Sequence, residues 1–137
     1  MNAPFHLSLP CRSVSTTKSF YVKKLGAQSG RESSTWVDID LYGNQITFIK
    51  SANFNFDYQN YRFGESIIPA FHFGVLINTS DWESLYEKLQ KAKITLTEKR
   101  RYLEGAAGEH HSYFLEDPNG YTVEFKCFAR EGETFKK

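Results

Sequence analysis

Two short stretches decide the fold: "PFHLSL" at residues 4–9 and "AFHFGV" at residues 70–75. Each places one histidine at the same point of an otherwise apolar run, where valine would pack without a polar group to satisfy. Both show the alternation of side chains that is typical of a strand. A pattern that occurs twice indicates an internal repeat, so we expect the two halves of the chain to fold alike.

A helix is predicted after each of these strands. The first runs from Ser15 to Leu25 and stops at Gly26, a residue favoured at helix C-termini. The second begins at Ser80, which would form a capping box with Glu83. Its buried stripe at helical spacing comprises Trp82, Leu85, Leu89 and Ala92.

Each half then ends with a predicted hairpin: "STWVDIDLYGNQITFIK" at 34–50 and "HHSYFLEDPNGYTVEFK" at 110–126. Each hairpin has a glycine at the equivalent place in its turn, Gly43 in the first and Gly120 in the second. The chain is therefore predicted to be α+β, with two βαβββ modules that form a curved mixed sheet around a metal-binding cleft. The modules span 4–50 and 70–128, with 51–69 as the connection. We expect one domain over 1–137, because the chain is too short for two independent cores.

Composition limits the partners. Lys and Arg number 17 against 16 Asp and Glu, without a basic stripe, so nucleic acid is not expected. No apolar run is long enough to cross a bilayer, and "MNAPFHLSLP" lacks the pattern of a signal peptide, which favours a cytoplasmic protein without a membrane partner. Cys11 and Cys127 lack CxxC spacing and are expected to be free thiols.

Strand alternation predicts which side chains leave the core. His6 lies opposite the face of Phe5, Leu7 and Leu9, and His72 lies opposite that of Phe71 and Phe73. Glu124 alternates in the same way with Val123 and Phe125. Two imidazoles and one carboxylate facing the cleft suit Fe(II), Mn(II), Zn(II) or Ni(II). Taken singly, a strand histidine is more often a core residue bonded to a backbone carbonyl, but the repeat favours a metal site.

The turn sequence "DPNG" sets the register of the second hairpin. A type I turn with Pro118 at its second position pairs Asp117 with Tyr121. Phe114 then faces Glu124, and Ser112 and His110 line the cleft. A slip of one residue would instead bring His111 and Tyr113 to that face.

The chain resembles the vicinal oxygen chelate superfamily of glyoxalases, bleomycin and fosfomycin resistance proteins and extradiol dioxygenases. The resemblance covers residues 4–128 and rests on the "FHL" and "FHF" strands, on "SFYVKKLGA" and most specifically on "YFLEDPNGYTVEF". The segments "WVDIDLYGNQITF" and "RRYLEGAAGEHHSYFLEDPNGYTVEFK" look most like small predicted extradiol-type dioxygenases. The resemblance implies His6, His72 and Glu124 as metal ligands, Fe(II) as the favoured metal, and a homodimer.

The resemblance leaves several reactions open. The glyoxalase branch has a fourth protein ligand, whose place falls on Thr47, a poor ligand, or on Gln45 if the register slips by two. A three-ligand site follows, as in the dioxygenases and the fosfomycin resistance enzymes, and the leading hypothesis is a dioxygenase acting on a small diol-like aromatic. The alternatives are a glyoxalase-type lyase or isomerase, a thiol transferase with Zn, Mn or Ni, and a metal-free protein that binds a drug.

Further candidates surround the expected metal. His110 is the candidate acid or base, and the substrate-binding candidates are Phe114, Ser112 and Arg101. The resembling dioxygenases carry a tyrosine where this chain has Phe114. His110 and His111 also fit an exposed strand edge, and Arg100 and Arg101 fit surface ion pairs. The connection, with aromatic residues in "NFNFDYQNYRF", is expected to cover part of the cleft.

Overall fold

The computed structural model describes residues 3–97 and 99–137, and this part of the chain has mixed α+β structure as predicted. The strands before the connection are β1 His6–Cys11, β2 Gln28–Glu32, β3 Trp36–Leu41 and β4 Asn44–Lys50. The remaining strands are β5 Asn60–Phe63, β6 Ser66–Pro69, β7 Phe73–Leu76, β8 Arg100–Tyr102, β9 His110–Glu116 and β10 Thr122–Phe128. The α-helices are α1 Val14–Ser19 and α2 Thr79–Lys91. Within the described ranges, no helix is long and apolar enough to cross a membrane.

The predicted repeat is confirmed by the strand order of two sheets. One sheet has the order β1-β4-β3-β2 and the other the order β7-β10-β9-β8. In each, the first strand runs parallel to the last strand of its module, and the other pairs are antiparallel. The connection also forms a hairpin of β5 and β6, which the sequence did not predict.

The chain divides into two compact units. The first contains the described residues up to Asp57 together with Asp117–Tyr121, and the second contains Tyr58–Glu116 and Thr122–Lys137. The first helical segment lies in the first unit, where α1 continues into a π-helical turn, Phe20–Lys24. Gly26, with φ of +77°, follows its end as predicted.

The turn Asp117–Tyr121 is held within the first unit by buried hydrogen bonds. Tyr21 donates its hydroxyl to Asp117 Oδ2 over 3.0 Å, and Asn119 donates Nδ2 to Thr17 Oγ1 over 3.1 Å. Tyr121 donates its hydroxyl to the carbonyl of Pro10 over 2.8 Å. The buried polar groups of this turn are thus paired with the helical segment and with the end of β1.

The second unit packs α2 on its sheet. Trp82, Leu85 and Leu89 are buried as predicted, and Trp82 donates Nε1 to the carbonyl of Phe125 over 2.8 Å. The predicted capping box is wrong, because Asn78 caps the helix and accepts from the Asp81 amide over 2.8 Å. Asparagine caps helices at least as well as serine, so the helix begins one residue earlier. Ala92 is exposed beyond the last turn.

The register of the second hairpin is confirmed. Glu124 pairs with Phe114, and the Asp117 amide donates to the Tyr121 carbonyl over 2.9 Å. Tyr113 consequently lies on the helix side, with its ring centroid 5.0 Å from that of Trp82. His111 lies there too, 5.9 Å from Trp82. The opposite face of β9 and β10 carries Glu124, Phe114 and Ser112.

Candidate active site

A close approach of two parallel strands brings His72 to Glu124. Gly74 of β7 pairs with Glu124 of β10, and a Cβ built on Gly74 would lie 1.8 Å from the Glu124 carbonyl oxygen. Only glycine fits at this position without displacing backbone. His72 directly precedes β7, and its Nε2 lies 3.5 Å from Glu124 Oε2. The strand pairing therefore positions one imidazole and one carboxylate together.

Both side chains are oriented by further hydrogen bonds. His72 Nδ1 lies 2.9 Å from the Pro69 carbonyl oxygen, so Nδ1 is assigned as a donor, and Nε2 is the nitrogen that can give up its proton to bind a metal. Ser112 donates its hydroxyl to Glu124 Oε1 over 2.6 Å. The expectation that a strand histidine bonds a backbone carbonyl thus holds for Nδ1 and leaves Nε2 to face Glu124. Hydrogen bonds of this kind fix metal-binding residues in many proteins.

Hydrogen bonds and charge shift the pKa values of both members of this pair. Burial alone would raise the pKa of Glu124, but hydrogen bonds from His72 and Ser112 and the charge of Lys126 outweigh it and lower the pKa. The hydrogen bond to Glu124 raises the pKa of His72. Lys126 Nζ also lies 3.5 Å from Glu124 Oε2. An ionised carboxylate beside an imidazole with a defined tautomer is a donor set that fits a divalent metal such as Fe(II) or Zn(II).

His72 and Glu124 line a cavity of about 150 Å³ within the second unit. Ile68, Tyr102 and Phe114 form a buried apolar cluster there, against which Phe63 packs. The complete lining is Tyr61, Phe63, Ile68, His72, Tyr102, His110, Phe114, Glu124 and Lys126. An apolar cavity of this size has room for a benzene ring. The cavity therefore joins an aromatic wall to a polar wall that carries the histidine and glutamate.

His110 belongs to this cavity and is 9% exposed. Its Nδ1 lies 2.8 Å from the Gly108 carbonyl oxygen, which assigns the proton to Nδ1, and its ring stacks on Tyr102 at 5.2 Å between centroids. Burial lowers the pKa of His110. The side chain is therefore a neutral imidazole near pH 7 with a free Nε2, which is the state that a general base requires.

The three substrate-binding candidates differ in location. Phe114 lines the cavity, with its ring centroid 5.7 Å from that of His72. Ser112 is fully buried and bonded to Glu124. Arg101 is not among the residues that line the cavity and is paired with Glu104 and Glu109 over 2.6 and 2.9 Å. The surface ion pairs considered for Arg101 in the sequence are thus present.

His6 lies in the first unit, at the start of β1, and is exposed. Its face is opposite Leu9, which is buried as predicted, whereas Phe5 precedes the strand and is 55% exposed. Among the described residues, no group of three or more His, Cys, Asp or Glu side chains is close enough to hold a metal ion. The structure thus brings two of the three predicted ligands together.

Two cavity residues carry polar groups that the sequence did not single out for a role. Lys126 is two residues after Glu124 in the same strand, so the strand period already placed both on one face. Tyr102 comes from the short strand β8, whose pairing with β9 depends on a loop of seven residues, 103–109. No pattern in the sequence near Tyr102 predicted that its side chain would lie beside His110.

Two βαβββ modules of the same strand order, one of which holds an imidazole beside a carboxylate, are typical of a protein of the vicinal oxygen chelate class. A family model described as the Glyoxalase/Bleomycin resistance protein/Dioxygenase superfamily matches residues 4–125, and the chain belongs to that superfamily. A comparison with curated proteins gave no match.

Solved structures show the same fold. A glyoxalase/bleomycin resistance protein/dioxygenase from Alicyclobacillus acidocaldarius superposes with a TM-score of 0.81 at 26% identity, covering 98% of this chain and 97% of that chain. A lactoylglutathione lyase from Agrobacterium tumefaciens gives 0.66 at 12% identity, covering 100% and 98%. A genomically encoded fosfomycin resistance protein from Listeria monocytogenes gives 0.65 at 14% identity, covering 96% and 97%. The last two similarities concern the fold alone.

Proposed function

We propose that the protein is a metal-dependent enzyme of this superfamily, and specifically an extradiol-type dioxygenase that cleaves a small, single-ring aromatic diol. The observation that carries the proposal is the pair of His72 Nε2 and Glu124 Oε2, 3.5 Å apart, on the wall of a ring-sized aromatic cavity. A single aromatic ring matches the volume of about 150 Å³, which favours a small diol over the larger tripeptide thiol adduct of a lyase or thiol transferase.

The metal would be held by His72 Nε2, a Glu124 oxygen and His6, with Fe(II) favoured and Zn, Mn or Ni as alternatives. When bound, Fe(II) would polarise the diol oxygens as a Lewis acid and react with dioxygen. Ser112 and the Pro69 carbonyl would keep the two ligands of the second unit oriented, because they bond Glu124 Oε1 and His72 Nδ1 and leave Oε2 and Nε2 to hold the metal.

The cavity residues would bind and deprotonate the substrate. Phe63 and Phe114 would contact the faces of the ring, with Ile68 contributing to the same apolar wall. His110 would accept a proton from a substrate hydroxyl at Nε2, since its Nδ1 is committed to the Gly108 carbonyl. The apolar wall would also limit the access of water during the reaction.

Oxygen consumption tests the reaction class. Protein loaded anaerobically with Fe(II) should take up oxygen with a catechol or a hydroxylated aromatic acid from a diol panel and give a coloured product. Zinc-loaded protein should not, because zinc has no accessible redox change. His110→Ala should lower kcat by roughly 100-fold or more without releasing metal. His111→Ala is the matched control, because the neighbouring imidazole lies against Trp82.

A different result would redirect the proposal. If the diol panel gives no oxygen uptake, while nickel- or zinc-loaded protein converts a hemithioacetal or joins glutathione to an epoxide, the lyase or transferase alternative replaces the dioxygenase. The homodimer and the cytoplasmic location expected from the sequence also remain proposals. Light scattering tests the dimer and cell fractionation tests the location.

A further inference from the structure

Tyr102 carries a buried hydroxyl without a partner. The residue is 7% exposed, and its hydroxyl oxygen forms no hydrogen bond with any residue in the described part of the chain. Buried hydroxyls are nearly always hydrogen-bonded, because leaving one unpaired costs free energy. Phenylalanine would make the same ring contacts, with His110 at 5.2 Å and Phe63 at 5.7 Å, without that cost.

Tyr102 also lines the cavity that holds His72 and Glu124. Lys126 lines the same cavity; its side chain is 25% exposed, and its Nζ lies 3.5 Å from Glu124 Oε2. Lys126 offers three donors, so its contact with one carboxylate oxygen leaves capacity for a second acceptor. An unpaired hydroxyl and a cation, carried by two residues that line one small cavity, suit an anionic oxygen, which accepts stronger hydrogen bonds than a neutral one.

We propose that Tyr102 and Lys126 bind a carboxylate on the substrate ring, so that the enzyme selects a dihydroxylated aromatic acid over an unsubstituted catechol. This inference rests on the proposed function for the diol end of the substrate. The ring would occupy the aromatic part of the cavity, and the carboxylate would accept from the Tyr102 hydroxyl and the Lys126 ammonium. Tyr102 is thus a specificity-determining residue of the cavity.

Binding to zinc-loaded protein tests this inference apart from turnover. The probes are 3,4-dihydroxybenzoate and catechol, which differ by the carboxylate, titrated by calorimetry. Wild-type protein should bind the acid at least 10-fold more tightly than catechol. Tyr102→Phe should weaken binding of the acid by about 10-fold, the size expected for a hydrogen bond to a charged group, and leave catechol unchanged. Lys126→Gln should weaken binding of the acid more strongly at low salt than at high salt.

Tyr113→Phe is the matched control, because Tyr113 is a buried tyrosine on the helix face of the same sheet. It should bind both probes like the wild type. The melting temperature of ligand-free Tyr102→Phe should equal or exceed that of the wild type, since no protein hydrogen bond is lost. Equal binding of the acid by Tyr102→Phe and wild type, or no preference for the acid, would overturn the inference. Absence of oxygen uptake with preserved selectivity would overturn the dioxygenase proposal alone.

Discussion

The two modules share a strand order and differ in how they satisfy their polar groups. In the second module, β10 carries Glu124 opposite Phe114 and beside Gly74. In the first module, the equivalent position of β4 is Thr47, which lies opposite Asp38 and beside Ser8. The carboxylate of the second module is therefore on its last strand, β10, whereas the carboxylate of the first module is on β3, next to its last strand.

The carboxylate of the first module is hydrogen-bonded by two neighbouring side chains. Asp38 accepts from the Thr47 hydroxyl over 2.7 Å and from Arg31 Nε over 3.1 Å. The hydrogen bond from Thr47 lowers the pKa of Asp38, against the opposing effect of burial, with further lowering by Arg31 and Gln45. Asp38 is therefore paired with a threonine hydroxyl and an arginine, whereas Glu124 of the second module lies beside an imidazole.

The second module places a histidine beside its carboxylate. His72 Nε2 and Glu124 Oε2 face each other at 3.5 Å, and the Tyr102 hydroxyl is unpaired among the described residues. The comparison teaches that the same βαβββ topology can pair its carboxylate with an arginine and a threonine or with a histidine that is able to bind a metal. What differs is the residue at one position of the last strand and the presence of glycine beside it.

The largest expected effect concerns the metal. Purified protein should bind about one divalent metal ion per chain, and His72→Ala and Glu124→Ala should each reduce the content to near zero, because each removes a ligand. His111→Ala should keep the metal, since that ring packs under α2. Elemental analysis after gel filtration measures the content. Equal retention in all three variants would place the metal elsewhere.

A smaller effect is expected from Ser112→Ala. Loss of the 2.6 Å hydrogen bond to Glu124 Oε1 should weaken zinc binding by about 10- to 100-fold, as is usual for residues that orient metal ligands. Competition with a chelator gives the affinity. Thr47→Ala removes the hydroxyl that donates to the carboxylate of the first module, Asp38, and should leave the zinc affinity unchanged. An effect of Thr47→Ala as large as that of Ser112→Ala would mean that the modules are not functionally distinct.

Gly74→Ala should reduce stability through backbone displacement. Its new methyl group would meet the Glu124 carbonyl, so β7 must move, at a cost of about 1–3 kcal/mol in the free energy of unfolding. Ser8→Ala, at the equivalent position of the first module, should stay within about 0.5 kcal/mol of the wild type. Urea denaturation measures both. A neutral Gly74→Ala would show that the strands do not need this close contact.

The smallest expected effect is a difference in stability between phenylalanine variants of two buried tyrosines. Tyr21→Phe removes a buried hydrogen bond to Asp117 and should cost about 1 kcal/mol, whereas Tyr102→Phe removes a hydroxyl without a partner and should cost nothing in ligand-free protein. Thermal unfolding of the two variants provides the comparison. A similar loss in both would show that the Tyr102 hydroxyl has a structural partner.

Local sequence patterns accounted for the repeat, the strand faces and the register of the second hairpin. The register followed from "DPNG", because the turn fixes which residues of the hairpin pair. The faces followed from the strand period, which placed Glu124 and Ser112 on one side. These features depend on residues close together in the chain, so the sequence contains them directly.

Features with a weak or ambiguous local pattern, and one that depends on distant residues, were missed. The hairpin of β5 and β6 lies in the connection, whose aromatic residues alternate only loosely, and Asn78 competed successfully with Ser80 as the helix cap. Tyr102 reaches the cavity through the pairing of β8 with β9. The strand period gives the face of His6 and contains no information on its distance from ligands in the other module.

The central claim is that the second module binds a metal through His72 Nε2 and Glu124. The most direct measurement is long-range ¹⁵N–¹H NMR of the four histidine side chains while one equivalent of Zn²⁺ is added to metal-free protein. We predict a shift of His72 Nε2 that saturates at one equivalent, with Nδ1 still protonated, a second shift at His6, and none at His111. A His72 signal that does not respond, or a response confined to other histidines, would contradict the account.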